Sequence, residues 1–381
     1  MHAYLHVPFC KVRCGYCDFN TYTSSELKGF RQNDFVTNIS QEIALANTVL
    51  QNAKLPSRPL STVFFGGGTP TQLAAAELAA TLENLKATFG FASDVEITTE
   101  ANPDDLDAAY LESLAKAGFT RISLGMQSAV PSVLKTLDRT HDPELVPKAV
   151  AQAKASGLQV SVDLIYGAPG ETFDQWKQTV AAALALETDH ISAYALIVEE
   201  GTKMARDIRS GVLTEPDEDL EADKYEYAES QFDSAGLHWY ELSNWSTSSK
   251  TRSAHNLAYW QGQDWWGFGP GAHSHVGGVR WWNAKHPTTY AAALGRQQSP
   301  GVGRESLTSA TRLQERVMLE ARLRDGIEIS LVREANPKVT SAIAQLIAEG
   351  LVDGPTAIRG RLILTLTGRL LADAVVRRIL A

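Results

Sequence analysis

Along the first two hundred positions, short runs of β-branched and aromatic residues alternate with stretches in which apolar side chains recur every three to four residues. The runs at 3–7, 62–65, 95–100, 121–126, 160–166 and 190–197 predict strands; the periodic stretches at 35–50, 73–89, 108–117, 143–156 and 173–186 predict helices. A strand–helix alternation of this kind predicts parallel strands with helices outside. Six such units predict an α/β protein built on a partial (β/α)6 TIM-like barrel rather than a complete eightfold one. Glycines cluster where strands should end, at Gly66–Gly68, Gly125 and Gly167. Those ends form the face on which such folds place ligands.

Beyond residue 200 the rhythm changes. An acidic helix is predicted over 217–233, followed by a segment that holds seven of the eight tryptophans, Trp239 to Trp282. Residues 298–305, with two glycines and a proline, predict a linker. The tail predicts helices at 310–322, 329–334, 339–349 and 367–379, with a β-ribbon of 351–353 and 361–366 before the last, an order similar to a winged helix. The expected organisation is thus a barrel over 1–230, an aromatic-rich connecting region over 231–305 and a winged-helix-like α+β domain over 306–381.

Composition narrows the function classes. The 381 residues are 44% hydrophobic and 21% charged, which favours a well-packed globular chain, and the formal charge of −9 argues against coating nucleic acid or anionic lipid. No run approaches the ~18–20 apolar residues of a membrane span. The opening residues have neither a basic nor an apolar leader character. A cytoplasmic protein that is not an integral membrane protein and does not act on nucleic acid is expected.

All three cysteines, Cys10, Cys14 and Cys17, fall within eight residues. An odd count so tightly spaced is a poor disulfide framework and a good metal site. Zinc normally takes four protein ligands in paired spacings. Three thiolates suit three corners of a [4Fe–4S] cube, leaving one iron for an outside chelator, with zinc as the competing reading. Glu100, Gln127, Arg139 and Asp163 stand at or just past predicted strand ends. Singly, each is most simply a structural polar residue; together they suit one polar, charged ligand.

The spacing C-x3-C-x2-C after a strand resembles the radical S-adenosylmethionine superfamily. More specifically, Tyr4-Leu5-His6-Val7-Pro8-Phe9-Cys10, Tyr16-Cys17-Asp18-Phe19, Phe65-Gly66-Gly67-Gly68-Thr69-Pro70-Thr71, Ser123-Leu124-Gly125-Met126-Gln127-Ser128 and Asp163-Leu164-Ile165-Tyr166-Gly167 resemble the oxygen-independent coproporphyrinogen III oxidase family over nearly the whole chain. The resemblance implies a [4Fe–4S] cluster on Cys10, Cys14 and Cys17. It further implies S-adenosylmethionine contacts from Tyr4, Tyr16, Gly67, Gly68, Thr69, Glu100, Gln127, Arg139 and Asp163.

Within that family three features set the chain apart from the decarboxylating oxidases. Phe19 stands where those enzymes carry a fourth cysteine, only nine residues precede Cys10, and His255-Asn256-Leu257-Ala258-Tyr259-Trp260 is similar to the H-N-x-x-Y-W motif of a heme-chaperone branch. That branch implies heme as a third cofactor, with His255 as the candidate iron ligand, and a heme-acceptor protein as partner, membrane-associated acceptors included. It also implies that coproporphyrinogen III oxidation is not the activity, although oxidative decarboxylation of that substrate is the alternative. Tyr259, Trp260, Trp265, Trp266, Trp281 and Trp282 offer flat faces for a porphyrin. His273 and His275 are rival ligands, and a hydrogen-bonded core histidine is the plain alternative for His255. The absence of C-x2-C-H excludes c-type thioether attachment.

Overall fold

The computed structural model describes residues 1–27, 29–56 and 58–381. The six predicted strands are present as β1 (His2–Val7), β2 (Leu60–Gly67), β3 (Phe91–Ala101), β4 (Arg121–Gln127), β5 (Gln159–Tyr166) and β6 (His190–Ala195). They lie side by side in sequence order, every pairing parallel. The first helices are α1 (Phe35–Asn52), α2 (Ala75–Phe89), α3 (Ala108–Ala117), α4 (Pro131–Thr136), α5 (Leu145–Ala155) and α6 (Phe173–Ala185). Their local signals are ordinary ones: Asp107 caps α3, and Thr172 with Gln175 forms a capping box on α6.

Strand alternation gives the sheet two unlike faces. Ala3, Leu5 and Val7, Val63 and Phe65, and Val160, Val162 and Leu164 belong to the apolar core with Ile39, Ile43, Leu78 and Trp176 of the helices. The intervening positions carry His2, Tyr4, His6, Thr62, Glu96, Glu100, Arg121, Ser123, Ser161, Asp163 and His190, an inner face that is largely polar, with Phe64 among its apolar members.

The region following α7 (Lys203–Arg209) and α8 (Glu218–Ser234) does more than connect. It adds β7 (His238–Glu241) and β8 (Asn244–Ser246), then the helix α9 (Ala254–Trp260). Next come β9 (Trp265–Phe268), β10 (His273–Val276) and β11 (Val279–Asn283), the helix α10 (Pro287–Gly295) and β12 (Gly301–Ser306). Among the described residues these strands extend one sheet in the order β12-β11-β10-β9-β1-β2-β3-β4-β5-β6-β8-β7, with β9 parallel to β1 and the outermost pairings antiparallel. The stretch expected as a linker is therefore an edge strand over Gly301–Ser306. Its second glycine is explained by β11: a Cβ on Gly303 would lie 2.3 Å from the Trp282 indole, which covers that position.

Residues 309–380 gather helices around a separate apolar cluster that includes Val317, Ile327, Val332, Leu346, Leu362 and Val375. The ribbon differs from expectation. Arg361–Leu362 pairs with Ile327–Glu328, Val352 makes only a single bridge to Leu364, and a short helix, Gly354–Ile358, lies between. The expected helix over 367–379 breaks at Leu371 into Leu366–Leu370 and Ala372–Leu380. The break serves two cores: Leu366 and Leu370 pack on the barrel core, whereas Ala372, Val375, Val376 and Ile379 face the terminal cluster. Among the described residues no helix is long and apolar enough to cross a membrane.

Arg369 fastens this unit to the barrel. Its guanidinium lies 4.2 Å from the Trp239 ring centroid and donates to Glu229 at 2.7 Å and to the Tyr225 hydroxyl at 3.3 Å. Removing one member of a buried pair leaves an uncompensated charge. Arg369→Ala is expected to lower stability by about 3 kcal/mol in denaturant titration. Arg369→Lys should recover only part of that loss, since it lacks the planar stack.

Candidate functional site

The three cysteines lie between β1 and α1, half-buried and free of disulfides. Their loop is pinned from several sides by backbone bonds: Cys10 N to Tyr22 O (3.1 Å), Gly15 N to Leu137 O (3.3 Å) and Met204 N to Gly15 O (2.9 Å). The end of β2 presses against it, with Gly68 N donating to Val7 O at 2.8 Å and Thr69 N to Phe9 O at 2.7 Å. A Cβ on Gly68 would stand 2.6 Å from Phe9 O and 3.0 Å from Cys10 Sγ, so only glycine fits this approach.

Burial pushes the Cys10 thiol up and the Cys17 thiol up to about 11. These sulfurs become good thiolates only when a metal replaces the proton. Three clustered thiols, no fourth cysteine and a glycine-lined approach fit an iron–sulfur cluster with one iron not held by the protein.

Around the loop, the ends of the later strands deliver the remaining polar groups. Arg139 Nη1 is 3.6 Å from Cys14 Sγ, Nη2 bonds Asn102 Oδ1 at 2.7 Å and Gly125 O at 2.9 Å, and its buried Nε has no partner among the described residues. Glu100 accepts from Gly67 N at 3.1 Å. Burial, and then the neighbouring Asp163, push its carboxyl up to about 8. Asp163, raised by burial, accepts from Ser123 Oγ at 2.8 Å.

Gln127 sits at a register shift between β4 and β5 with φ of 61°, a conformation that a non-glycine residue holds only when its surroundings fix it. Tyr4 faces inward and bonds His6 Nδ1 at 3.1 Å, while Tyr16 packs on the apolar cluster of Val133, Leu137 and Ile165. The structure thus brings Gly67, Gly68, Thr69, Glu100, Gln127, Arg139 and Asp163 to the mouth of the barrel beside the cysteines.

Two participants carried no assignment in the sequence. Asn102 joins Arg139 to Thr69, donating to the Thr69 hydroxyl at 3.3 Å. His6, held by Tyr4 and by Asn20 O at 2.9 Å, lies against Gly67. The signal was available: Asn102 follows a strand end, and His6 shares the inward phase of Tyr4.

His255 is elsewhere. Its helix, α9, plugs the opposite end of the barrel, where β1 and β2 begin. Five residue steps along β2 carry the chain from Thr62 there to Gly67 at the mouth, roughly 16 Å of strand. Backbone N–H groups of Ala254 and His255 donate to the Glu96 carboxylate, each at 3.0 Å. Arg121, paired with Glu96 at 3.3 Å, donates to the carbonyls of Thr251 and Arg252. The His255 side chain is 2% exposed. Its Nδ1 is 2.6 Å from Thr62 Oγ1, and its Nε2 is buried without a partner among the described residues. Burial lowers its pKa to about 3, so the ring is neutral.

Phe64 stacks on this ring at 5.1 Å, Tyr4 lies at 6.4 Å and Tyr259 meets it edge-on at 4.8 Å. The aromatic wall continues on this face as Tyr259, Trp265 and His275, with His273 stacked on Trp282 two positions along. Trp266 and Trp281 pack on each other beside the helical core, on the other face of the sheet. The expected porphyrin surface is therefore divided between two faces.

Comparison with known proteins follows the same lines. Residues 4–183 match the radical SAM superfamily model. Over 380 residues the chain is 45% identical to the heme chaperone HemW of Mycobacterium tuberculosis (strain ATCC 25618 / H37Rv), covering 99% of this chain and 94% of that one. It is 34% identical over 327 residues to the heme chaperone HemW of Bacillus subtilis (strain 168), covering 85% and 84%. In structure it resembles the coproporphyrinogen III oxidase HemN of Escherichia coli, a radical SAM enzyme, with a TM-score of 0.82 at 22% identity over 99% of this chain and 89% of that one. The likeness to HemN bears on the fold alone.

Gly68→Ala is expected to displace the cysteine loop, lowering stability by about 1–3 kcal/mol and reducing the iron retained after anaerobic reconstitution. Gly295→Ala, where a Cβ meets nothing, is the control that should leave both unchanged.

Proposed function

The chain belongs to the radical SAM superfamily and, within it, to the HemW family of heme chaperones, and from that premise we propose that it binds heme and passes it to an acceptor protein. The family implies a [4Fe–4S] cluster and S-adenosylmethionine, and we assign the cluster to Cys10, Cys14 and Cys17. The cofactor's amino and carboxylate groups would complete the fourth iron. Tyr4, Tyr16, Gly67, Gly68, Thr69, Gln127 and Arg139 line its place, with Glu100 and Asp163 as the carboxylates facing its cationic portion.

The observation that carries heme binding is the state of His255: a neutral imidazole with one nitrogen anchored and the other, Nε2, unpartnered. Such a nitrogen is a good iron ligand. Because Nε2 is buried and Tyr259 meets the ring edge-on, heme reaches it in this reading when the C-terminal half of α9 swings outward. The N-terminal half stays fixed by Glu96 and by the Ser253 cap. Heme thereby sits at the barrel base and the cluster at its mouth, with Tyr4 between them. The acceptor, membrane-associated or not, meets heme at the base. The boundaries 1–230, 231–305 and 306–381 are retained as a functional division, although β9 makes the middle segment part of the same sheet.

Heme titration of the reconstituted protein tests the reading. His255→Ala is expected to weaken binding at least tenfold and shift the Soret band, whereas Cys14→Ser should lose cluster iron and still bind heme. Unchanged affinity and spectrum in His255→Ala would remove the ligand. Turnover of coproporphyrinogen III to protoporphyrinogen IX with reductant and S-adenosylmethionine would replace the chaperone reading by the oxidase one.

A second expectation concerns pH. A cationic ligand beside Glu100 favours its ionised form, so binding releases a proton below the raised pKa of about 8. Affinity for S-adenosylmethionine should rise several-fold between pH 6.5 and 8.5, with a flatter profile in Glu100→Gln. Equal slopes would remove Glu100 from the site.

A further inference from the structure

At the barrel base His2, Thr62, His255 and Gln263 form a continuous hydrogen-bonded line. Gln263 Oε1 lies 2.8 Å from His2 Nε2, His2 Nδ1 lies 2.9 Å from Thr62 Oγ1, and Thr62 Oγ1 lies 2.6 Å from His255 Nδ1. We propose that His2 and Thr62 are positioning residues for His255, a one-way relay that holds it as the Nδ1–H tautomer and keeps the Nε2 lone pair bare for heme iron. The inference rests on the reading of His255 as the iron ligand.

The direction follows from what each atom can donate. The Gln263 amide oxygen only accepts, so His2 carries its proton on Nε2. His2 is buried and both its ring nitrogens bond uncharged partners, Gln263 and Thr62, so the ring is neutral and its Nδ1 is an acceptor. The Thr62 hydroxyl must donate its single hydrogen to that Nδ1, which leaves its oxygen to accept from His255. His255 Nδ1 therefore bears the ring proton, and Nε2 bears none.

Reversing the line requires the side-chain amides of both Gln263 and Gln261 to turn over, because Gln263 Nε2 donates to Gln261 Oε1 at 2.7 Å. The reversed line would also leave a buried N–H at His255 Nε2 with no acceptor, and buried orphan donors are rarer than buried orphan acceptors. A hydrogen bond to the far nitrogen is the usual way a protein fixes a metal-binding histidine, and removing one typically weakens binding 10–100-fold. The groups come from separate elements: His2 from β1, Thr62 from β2, His255 from α9 and Gln263 from the turn before β9. The tautomer is thus a property of the assembled barrel.

The test begins on cluster-loaded, heme-free protein labelled with 15N. Long-range 1H–15N correlation, with His255 assigned by the loss of its signals in His255→Gln, should show a protonated Nδ1 and an unprotonated Nε2. The opposite tautomer overturns the relay whatever the heme measurements show. Hemin titration is then followed at the Soret band and by the iron–histidine stretch.

Thr62→Val, which keeps the shape and loses the hydroxyl, should weaken binding 10–100-fold and move the stretch. Thr62→Ser should restore both, which a purely packing role for this residue would not produce. If Thr62→Val binds heme like the parent while His255→Ala has lost it, the positioning role is wrong. If His255→Ala binds like the parent, the ligand reading fails and the relay's role toward iron fails with it, while the tautomer is still decided by the heme-free spectrum.

Discussion

A polar concave face enclosed by its own sheet is the constraint from which the rest of this structure follows. Buried polar groups cost several kcal/mol each when unpartnered, and β1 to β6 turn a row of them inward along most of their length. Helices cannot cover that face because they occupy the other one. The partners must come from the two ends of the barrel, and the two ends are solved differently.

At the base the protein supplies its own partners. The segment entering α9 gives backbone N–H groups to Glu96 and carbonyls to Arg121, and the Tyr240 hydroxyl meets His190 at 2.8 Å. At the mouth the protein leaves two groups underused: Arg139 Nε has no partner among the described residues, and Glu100 carries a carboxyl raised by burial. A ligand rich in hydrogen-bonding and charged groups answers that deficit. The cysteine loop stands beside it because Gly68 permits the end of β2 to come within bonding distance of Val7 and Phe9.

The same arrangement separates the cysteine loop at the mouth from His255 at the base while leaving Tyr4 in reach of both, through His6 on one side and the His255 ring on the other. A change at the mouth that moved Tyr4 would be felt by the His255 ring of α9. The added edge strands and the terminal helical unit, fastened through Arg369, brace the segment from which that helix emerges.

The sequence alone determined the barrel strands, the flanking helices and the placing of the cysteine loop after the first strand, because each rests on local information: a period of two or of 3.6, a glycine at a strand end, a spacing within one loop. It also marked Glu100, Gln127, Arg139 and Asp163, since a strand's end is a local feature. What it left out depended on contacts distant along the chain. Residues 301–306 look like a linker until Trp282 covers Gly303, and Asn102 has no visible task until Arg139 arrives from the next unit. The helix expected at 367–379 is continuous by period and breaks at Leu371 only because its two halves pack on different cores. His255 is a motif residue in the sequence; its burial, its neutral ring and the partners that orient it come from strands nearly two hundred to more than two hundred and fifty positions away. Tertiary structure alone decides such features, because a hydrogen bond acts over about 3 Å and chain order does not say which groups will come that close.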